Sequence, residues 1–342
     1  MSPSDAGNAQ IERARETGLS LRLRPRHLVV TRMRDDRRMR RTQPQKHLPR
    51  SLGALIRTSI PTARPSGARV IGVGFDVIAW RVPDPGGDWT LRVPRHAGAR
   101  RVIREQTHLM QHLARLGVPV PREPVLLVGS DGVTCGAYRF VDGVPATLTE
   151  SDGTDATRLA TQLADLVTRL HLTGPPPGST PNVVRPLEDR FGPIIERCRP
   201  HLDGARSAWL DGIASRLSVL AADMPDLVLV HADLKPDHVL LGADGTIEAV
   251  LDFEGIQVSD PAIDFGRIIQ HWGRPLGEMA LHRYAGTVDP AFLERAQIYR
   301  DLDGVELLHT VIEDGAEEWR ELALREIDAA VLRSVDASNR RA

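Results

Sequence analysis

The chain has no run of apolar residues long enough to cross a membrane. None of its 342 residues falls in a stretch that approaches the roughly 18 in succession a spanning helix needs. The N-terminus opens polar, without the apolar core of a secretory signal. Cysteine is nearly absent. Cys135 and Cys198 are the two present and form no paired spacing, so neither a disulfide framework nor a cysteine zinc cluster is available. Aromatic residues make up 4% of the chain, which leaves aliphatic side chains to fill a core. A hydrophobic fraction of 41% supplies enough of them, and the length allows two domains or lobes. No internal repeat is evident. These absences lead to the expectation of a soluble, cytoplasmic protein with no membrane partner.

The net charge of −1 conceals an imbalance. Residues 1–66 hold fifteen Lys/Arg against five Asp/Glu, and the remainder carries −11. Stretches such as "RMRDDRRMRR" (32–41) lack an apolar period. A basic arm for nucleic acid is one reading. No aromatic interleaves with the arginines, so a solvated extension over 1–66 is the expectation and a nucleic-acid partner is not.

Beyond residue 66 the pattern becomes regular. "ARVIGVG" (68–74), "DVIAWRV" (76–82) and "DWTLRVP" (88–94) read as strands, with a turn at "PDPGGD". "GARRVIREQTHLMQHLARLG" (98–117) reads as an amphipathic helix stopped by Gly117 and Pro119. "PVLLVGSDGVTCGAYRFVDG" (124–143) reads as a hairpin. From Thr154 the spacing turns helical: 155–174, 187–202, 205–222, 262–272, 276–285, 290–313 and 316–333, with Trp319 expected buried. A strand–loop–strand island interrupts them. The expected fold is α+β and bilobal, a small β-rich lobe over 67–143 and a larger, mainly helical lobe over 144–333, with a tail at 334–342.

The island holds the chemistry. "VHADLKPDHVLL" (230–241) sets charged residues between two apolar runs, and "VLDFEGI" (250–256) comes next after a turn. Phosphoryl transfer needs a carboxylate for the attacking hydroxyl, oxygen-rich metal ligands and cations around the phosphate. Protein kinases supply them as H-R-D-L-K-x-x-N and D-F-G. Asp233 falls at the catalytic Asp, and Lys235 at the cation for the γ-phosphate. His238 falls at the metal-binding Asn, and Asp252 at the D-F-G Asp, so a Mg²⁺ ion is the expected metal.

With "WTLRVPR" (89–95) and "SDPAIDFGRII" (259–269), these motifs make residues 67–330 resemble the aminoglycoside phosphotransferase family of protein-kinase-like small-molecule kinases. His238 and the L-R-x-P-R stretch are most similar to the macrolide 2′-phosphotransferases. The resemblance implies a kinase-like fold whose kinase activity moves the γ-phosphate of ATP or GTP to a hydroxyl of an antibiotic, a macrolide ahead of an aminoglycoside. It implies a phosphate-covering loop at Gly72 and Gly74, a phosphate grip at Arg92 partnered by Glu105, and a hinge at Tyr138 to Val141, including Phe140, against the nucleotide base. Asp260 and Asp264 would brace the catalytic loop. His231 reads as structural and His171 as a helix-end residue without a ligand role. The acidic run Asp301, Asp303, Glu306, Glu313, Asp314, Glu317 and Glu318 is either a wall for a cationic acceptor or a solvated face. Two alternatives stay open: a metabolic kinase of an amino alcohol or sugar, and a non-catalytic nucleotide-binding protein with a basic arm.

Overall fold

A helix stands where composition suggested a solvated extension. In the computed structural model, which describes residues 47–73, 77–130, 132–147, 153–177, 183–184, 188–220 and 226–339, the chain begins with α1 (Arg50–Ser59). Leu52, Leu55 and Ile56 fall on one helical face and are buried. Pro61 restrains the residue before it and ends the helix. α1 packs with Trp80, Leu91, Leu127, Cys135 and Ala137. Residues 50–66 therefore belong to the first lobe, which corrects the boundary expected at 66.

That lobe continues through β1 (Arg69–Val73), β2 (Val77–Val82), β3 (Trp89–Pro94), α2 (Ala97–Arg115), β4 (Val125–Val128) and β5 (Thr134–Arg139). The strands form one antiparallel sheet in the order β1-β2-β3-β5-β4. Side chains alternate across a strand. Leu91 and Ala137 pair in register and face the α1 core, so Arg92 and its partner Gly136 face the opposite side, where α2 packs. Sheet pairing thus decides that Arg92 points into the cleft.

The second lobe opens with β6 (Val144–Pro145), which pairs with Leu241 and Leu240 and so ties the interlobe segment into this lobe. It continues through α3 (Gly153–Thr173), α4 (Glu188–Cys198), α5 (Gly204–Leu220), β7 (Val228–Val230), β8 (Val239–Leu241), β9 (Ile247–Val250) and β10 (Gln257–Ser259). α6 (Ala262–Trp272), α7 (Arg274–Arg283), α8 (Phe292–Asp301), α9 (Asp303–Asp314) and α10 (Arg320–Asn339) complete it. The helix expected over 290–313 is two, broken at Leu302. The flanking carboxylates are drawn to different helices: Asp301 to Arg333 on α10, and Asp303 to Arg267 and Gln270 on α6. α10 runs past 333 to Asn339, so the tail expected from 334 is helical there. Trp319, expected buried, is 39% exposed. Aliphatic side chains fill the core as the scarcity of aromatics requires, with Phe265 packed edge to face against both Tyr284 and Phe292.

Candidate active site

Two short loops face each other because of how their flanking strands pair. Val230 at the end of β7 lies opposite Gln257 at the start of β10. Val239 at the start of β8 lies opposite Val250 at the end of β9. Residues 231–238 and 251–256 therefore join the same two ladders and lie side by side. The Leu251 N–H donates to the His238 carbonyl over 2.7 Å. A Cβ at Gly255 would stand 3.0 Å from the His231 carbonyl oxygen, so a larger residue would have to push the two loops slightly apart.

The first loop turns at Ala232, whose φ of +64° is left-handed. A buried carboxylate holds it there. Asp264 on α6 accepts from His231 N–H at 3.0 Å and from Ala232 N–H at 2.7 Å. Arg267, one turn further along α6, donates from Nε to the Ala232 carbonyl at 3.0 Å. Asp264 is held in turn by His171 Nε2 at 3.1 Å, and His171 Nδ1 meets the Tyr284 hydroxyl at 2.7 Å. His171 is thus more than a helix-end residue: it is buried and fixes the carboxylate that shapes the loop. Burial alone would push the Asp264 carboxyl up. The hydrogen bond and charge of His171 and the hydrogen bond from the His231 N–H outweigh it and hold the carboxyl below its ordinary range.

His231 is buried and its tautomer is set by its neighbours. Nε2–H donates to the Leu251 carbonyl at 3.0 Å, which leaves Nδ1 to accept from the Asp233 N–H at 3.3 Å. Asp260 accepts from Arg295 Nε at 2.7 Å, from the Tyr299 hydroxyl at 3.0 Å and from Ala262 N–H at 3.0 Å. Its network lies wholly inside the lobe.

Asp233, His238 and Asp252 bring ligand atoms within 4.8 Å of one another. His238 Nδ1–H donates to the Asp233 carbonyl at 2.9 Å, so Nε2 carries the lone pair. That nitrogen lies 3.4 Å from Asp252 Oδ2. Burial pushes the imidazole down to about 4, against the pull of Asp252 and Asp233, so it is neutral at pH 7. A lone pair and a carboxylate oxygen face each other with no proton between them. This donor set fits a divalent cation, although Mg²⁺ prefers oxygen to imidazole nitrogen. Asp252 is itself left-handed, at φ 61°, ψ 68°. Lys235 is buried with Nζ 2.9 Å from Asp233 Oδ2.

Arg92 reaches this cluster from the first lobe. Its guanidinium contacts Glu254 and stands 3.9 Å from Asp252 Oδ1. The expected Arg92–Glu105 pair is not formed. Glu105 points outward from α2, 60% exposed, beside Arg101 at 3.4 Å. Helical phase explains the correction: Ile103, Gln106 and Thr107 occupy the buried face of α2 and leave Glu105 on the outer one. Gly72 lies on β1 opposite Ala79, and Gly74 lies outside the described residues. Tyr138 is buried on the Arg92 side of the sheet. Phe140 differs from expectation in part. Its N–H is taken by the Asp88 carbonyl at 2.8 Å and its ring is covered by Arg81 at 3.8 Å, so only its carbonyl remains to meet a base.

Sequence motifs alone passed over Arg267 and His271. Both come after Asp264 at helical spacing on α6, and that spacing was the available signal. Burial, with Arg267 nearby, pushes His271 down to about 4, and its field is shared with Asp303, Asp233 and Lys235. The acidic run is not a bare wall. Asp303 contacts Arg267, Glu306 contacts Arg190, Asp301 lies 3.0 Å from Arg333, Glu313 2.7 Å from Arg197 and Glu317 2.6 Å from Arg320.

Residues 67–304 match the family described as "Phosphotransferase enzyme family". No curated protein sequence matches the chain. Solved structures do. The GDP complex of aminoglycoside 2′-phosphotransferase-IIIa is 20% identical at a TM-score of 0.69, over 84% of this chain and 100% of that one. The macrolide 2′-phosphotransferase MphH from Brachybacterium faecium is 21% identical at 0.58, over 82% and 98%. The ADP-bound aminoglycoside phosphotransferase APH(2″)-Ib is 16% identical at 0.61, over 83% and 97%. These likenesses show a bilobal, kinase-like fold.

Proposed function

The chain belongs to the phosphotransferase enzyme family, and on that premise we propose that it moves the γ-phosphate of ATP or GTP to a hydroxyl of a small-molecule antibiotic, a macrolide ahead of an aminoglycoside. Asp233 orients the acceptor hydroxyl and takes its proton as the new oxygen–phosphorus bond forms. The bond from the γ-phosphorus to the β–γ bridging oxygen breaks, and the nucleoside diphosphate leaves. Lys235, 2.9 Å from Asp233, offsets negative charge on the transferring group. Arg92 grips the phosphates from β3. Asp252 and His238 would hold Mg²⁺, which when bound neutralises phosphate oxygens. Gly72 near the end of β1 leads toward the phosphate-covering segment, and Tyr138 with the Phe140 carbonyl border the base.

The observation that carries this reading is the convergence of Asp233, His238 and Asp252 within 4.8 Å, on loops bent at two left-handed residues. Backbone strain of this kind costs of order 1–3 kcal/mol per residue and persists where surrounding contacts impose it. The arginine partners of Asp301, Asp303, Glu306, Glu313 and Glu317 favour an acceptor with few amines, because a polycation would find those carboxylates already matched.

The test is phosphate transfer with Mg²⁺ and either ATP or GTP, screened over a macrolide, several aminoglycosides and small amino alcohols. Wild type transfers to one acceptor class, and folded Asp233→Ala loses at least about 10³-fold in kcat, a base and an orienting group together. Turnover by the mutant at the wild-type rate would refute the assignment. Transfer to amino alcohols alone would select a metabolic kinase. Salt-dependent binding of nucleic acid, with no transfer, would select the basic-arm reading.

A further inference from the structure

Arg92 is held by a carboxylate from the metal-site loop and not by one from α2. α2 seats closely on the sheet beside Arg92: a Cβ at Gly136, its register partner, would lie 3.0 Å from Thr107 Oγ1 and 3.2 Å from Ile103 Cγ2. The buried face of α2 offers no acid there. Its buried polar residues are Gln106 and Thr107, Glu105 is 60% exposed, and neither polar atom of the Gln106 amide has a hydrogen-bond partner among the described residues. A neutral amide cannot balance a guanidinium. Glu254, two residues beyond Asp252 on the turn Phe253–Gly255, touches Arg92 instead, with both side chains 13% exposed.

We propose that Glu254 is the positioning residue for the nucleotide-phosphate grip, taking one edge of the Arg92 guanidinium so that its remaining donors face the phosphates. The inference rests on Arg92 acting as that grip, as the proposed function has it. A guanidinium carries five donors in a rigid planar fork, so one edge can bind a carboxylate while another binds phosphate oxygens. Burial alone would weaken the Arg92 charge; Asp252 and Glu254 sustain it. In protein kinases the equivalent cation is paired from a helix, whose movement controls activity. Here the acid that meets Arg92 comes from the metal loop itself, two residues beyond Asp252, and not from α2.

The experiment is calorimetric titration of wild type, Glu254→Gln, Glu254→Asp and Glu105→Gln with Mg·ADP and Mg·GDP, followed by steady-state kinetics. Glu254→Gln should weaken nucleotide binding about tenfold or more, from loss of one partner of a partly buried pair. The nucleotide KM should rise with it and the acceptor KM stay at its wild-type value. Glu254→Asp should recover part of the loss, and Glu105→Gln should bind as wild type does. Unchanged or tighter binding by a folded Glu254→Gln overturns the inference, tighter binding marking Glu254 as a competitor of the phosphates. A wild type that binds neither nucleotide defeats the proposed function itself. Weakening by Glu105→Gln as large as by Glu254→Gln would return the pairing to α2.

Discussion

At the scale of single residues, Ala232 shows how far other groups hold this site in shape. A Cβ at φ +64° crowds the following carbonyl oxygen, and alanine has no side-chain hydrogen bond to offset that. Asp264 spans the turn with both oxygens, at 2.7 and 3.0 Å, and is itself buried. Asp264→Asn turns two acceptors into one, sets an N–H donor against a backbone N–H, and should lower stability by about 2–3 kcal/mol in denaturant unfolding. The pH dependence has a definite sign. Because the folded carboxyl titrates below its ordinary value, its contribution is fully present above about pH 4 and is lost as pH falls further, through the folded value. The gap in melting temperature between wild type and Asp264→Asn should narrow as pH falls below about 4. A gap that widens on acidification would contradict this. Lys235 is marked in another way: the chain has two lysines, Lys46 and Lys235, and uses arginine for its other basic side chains. A compact ammonium beside Asp233 is not interchangeable with a planar fork.

At the scale of elements, α1 and α6 each do something composition hides. α1 lies in the arginine-rich part of the chain, and its net charge masks the Leu52–Leu55–Ile56 stripe that spacing would have revealed. Leu52 is buried against the sheet, and Leu52→Ala should cost about 2–5 kcal/mol of stability. A change near zero in urea unfolding would return residues 50–66 to a solvated extension. α6 carries Asp264, Arg267 and His271 successively along one face, so a single helix sets the loop backbone and the ground beside Asp233. The motif residues at 231–238 and 251–255 were singled out by type and spacing, and the structure brings Asp233, His238 and Asp252 of them together. Arg267 and His271 were not, because their roles come from the helix face on which a neighbouring motif sits.

At the scale of the whole molecule, charge balance in the second lobe bears on which acceptor the proposed reaction would take. Asp301, Asp303, Glu306, Glu313 and Glu317, five of the seven residues of its acidic run, are matched by Arg333, Arg267, Arg190, Arg197 and Arg320. The acceptor KM should therefore change less than about threefold between roughly 50 and 500 mM salt, whereas an unpaired acidic wall steering a polycation would lose about tenfold or more. A steep salt dependence would restore the aminoglycoside reading. The sequence by itself determined the bilobal α+β organisation, through the change from period-two to helical spacing, and the pairing of Asp233 with Asp252, through motifs whose chemistry allows few substitutes. It pointed to Arg92 as well, though not to its partner. Only the tertiary structure decided that Glu254 and not Glu105 meets Arg92, that His171 supports Asp264, and that α1 completes the first lobe. The physical reason is the same in each case: a residue's type limits what it can bind, but the packing of its strand or helix decides which way it faces, and that depends on partners far along the chain.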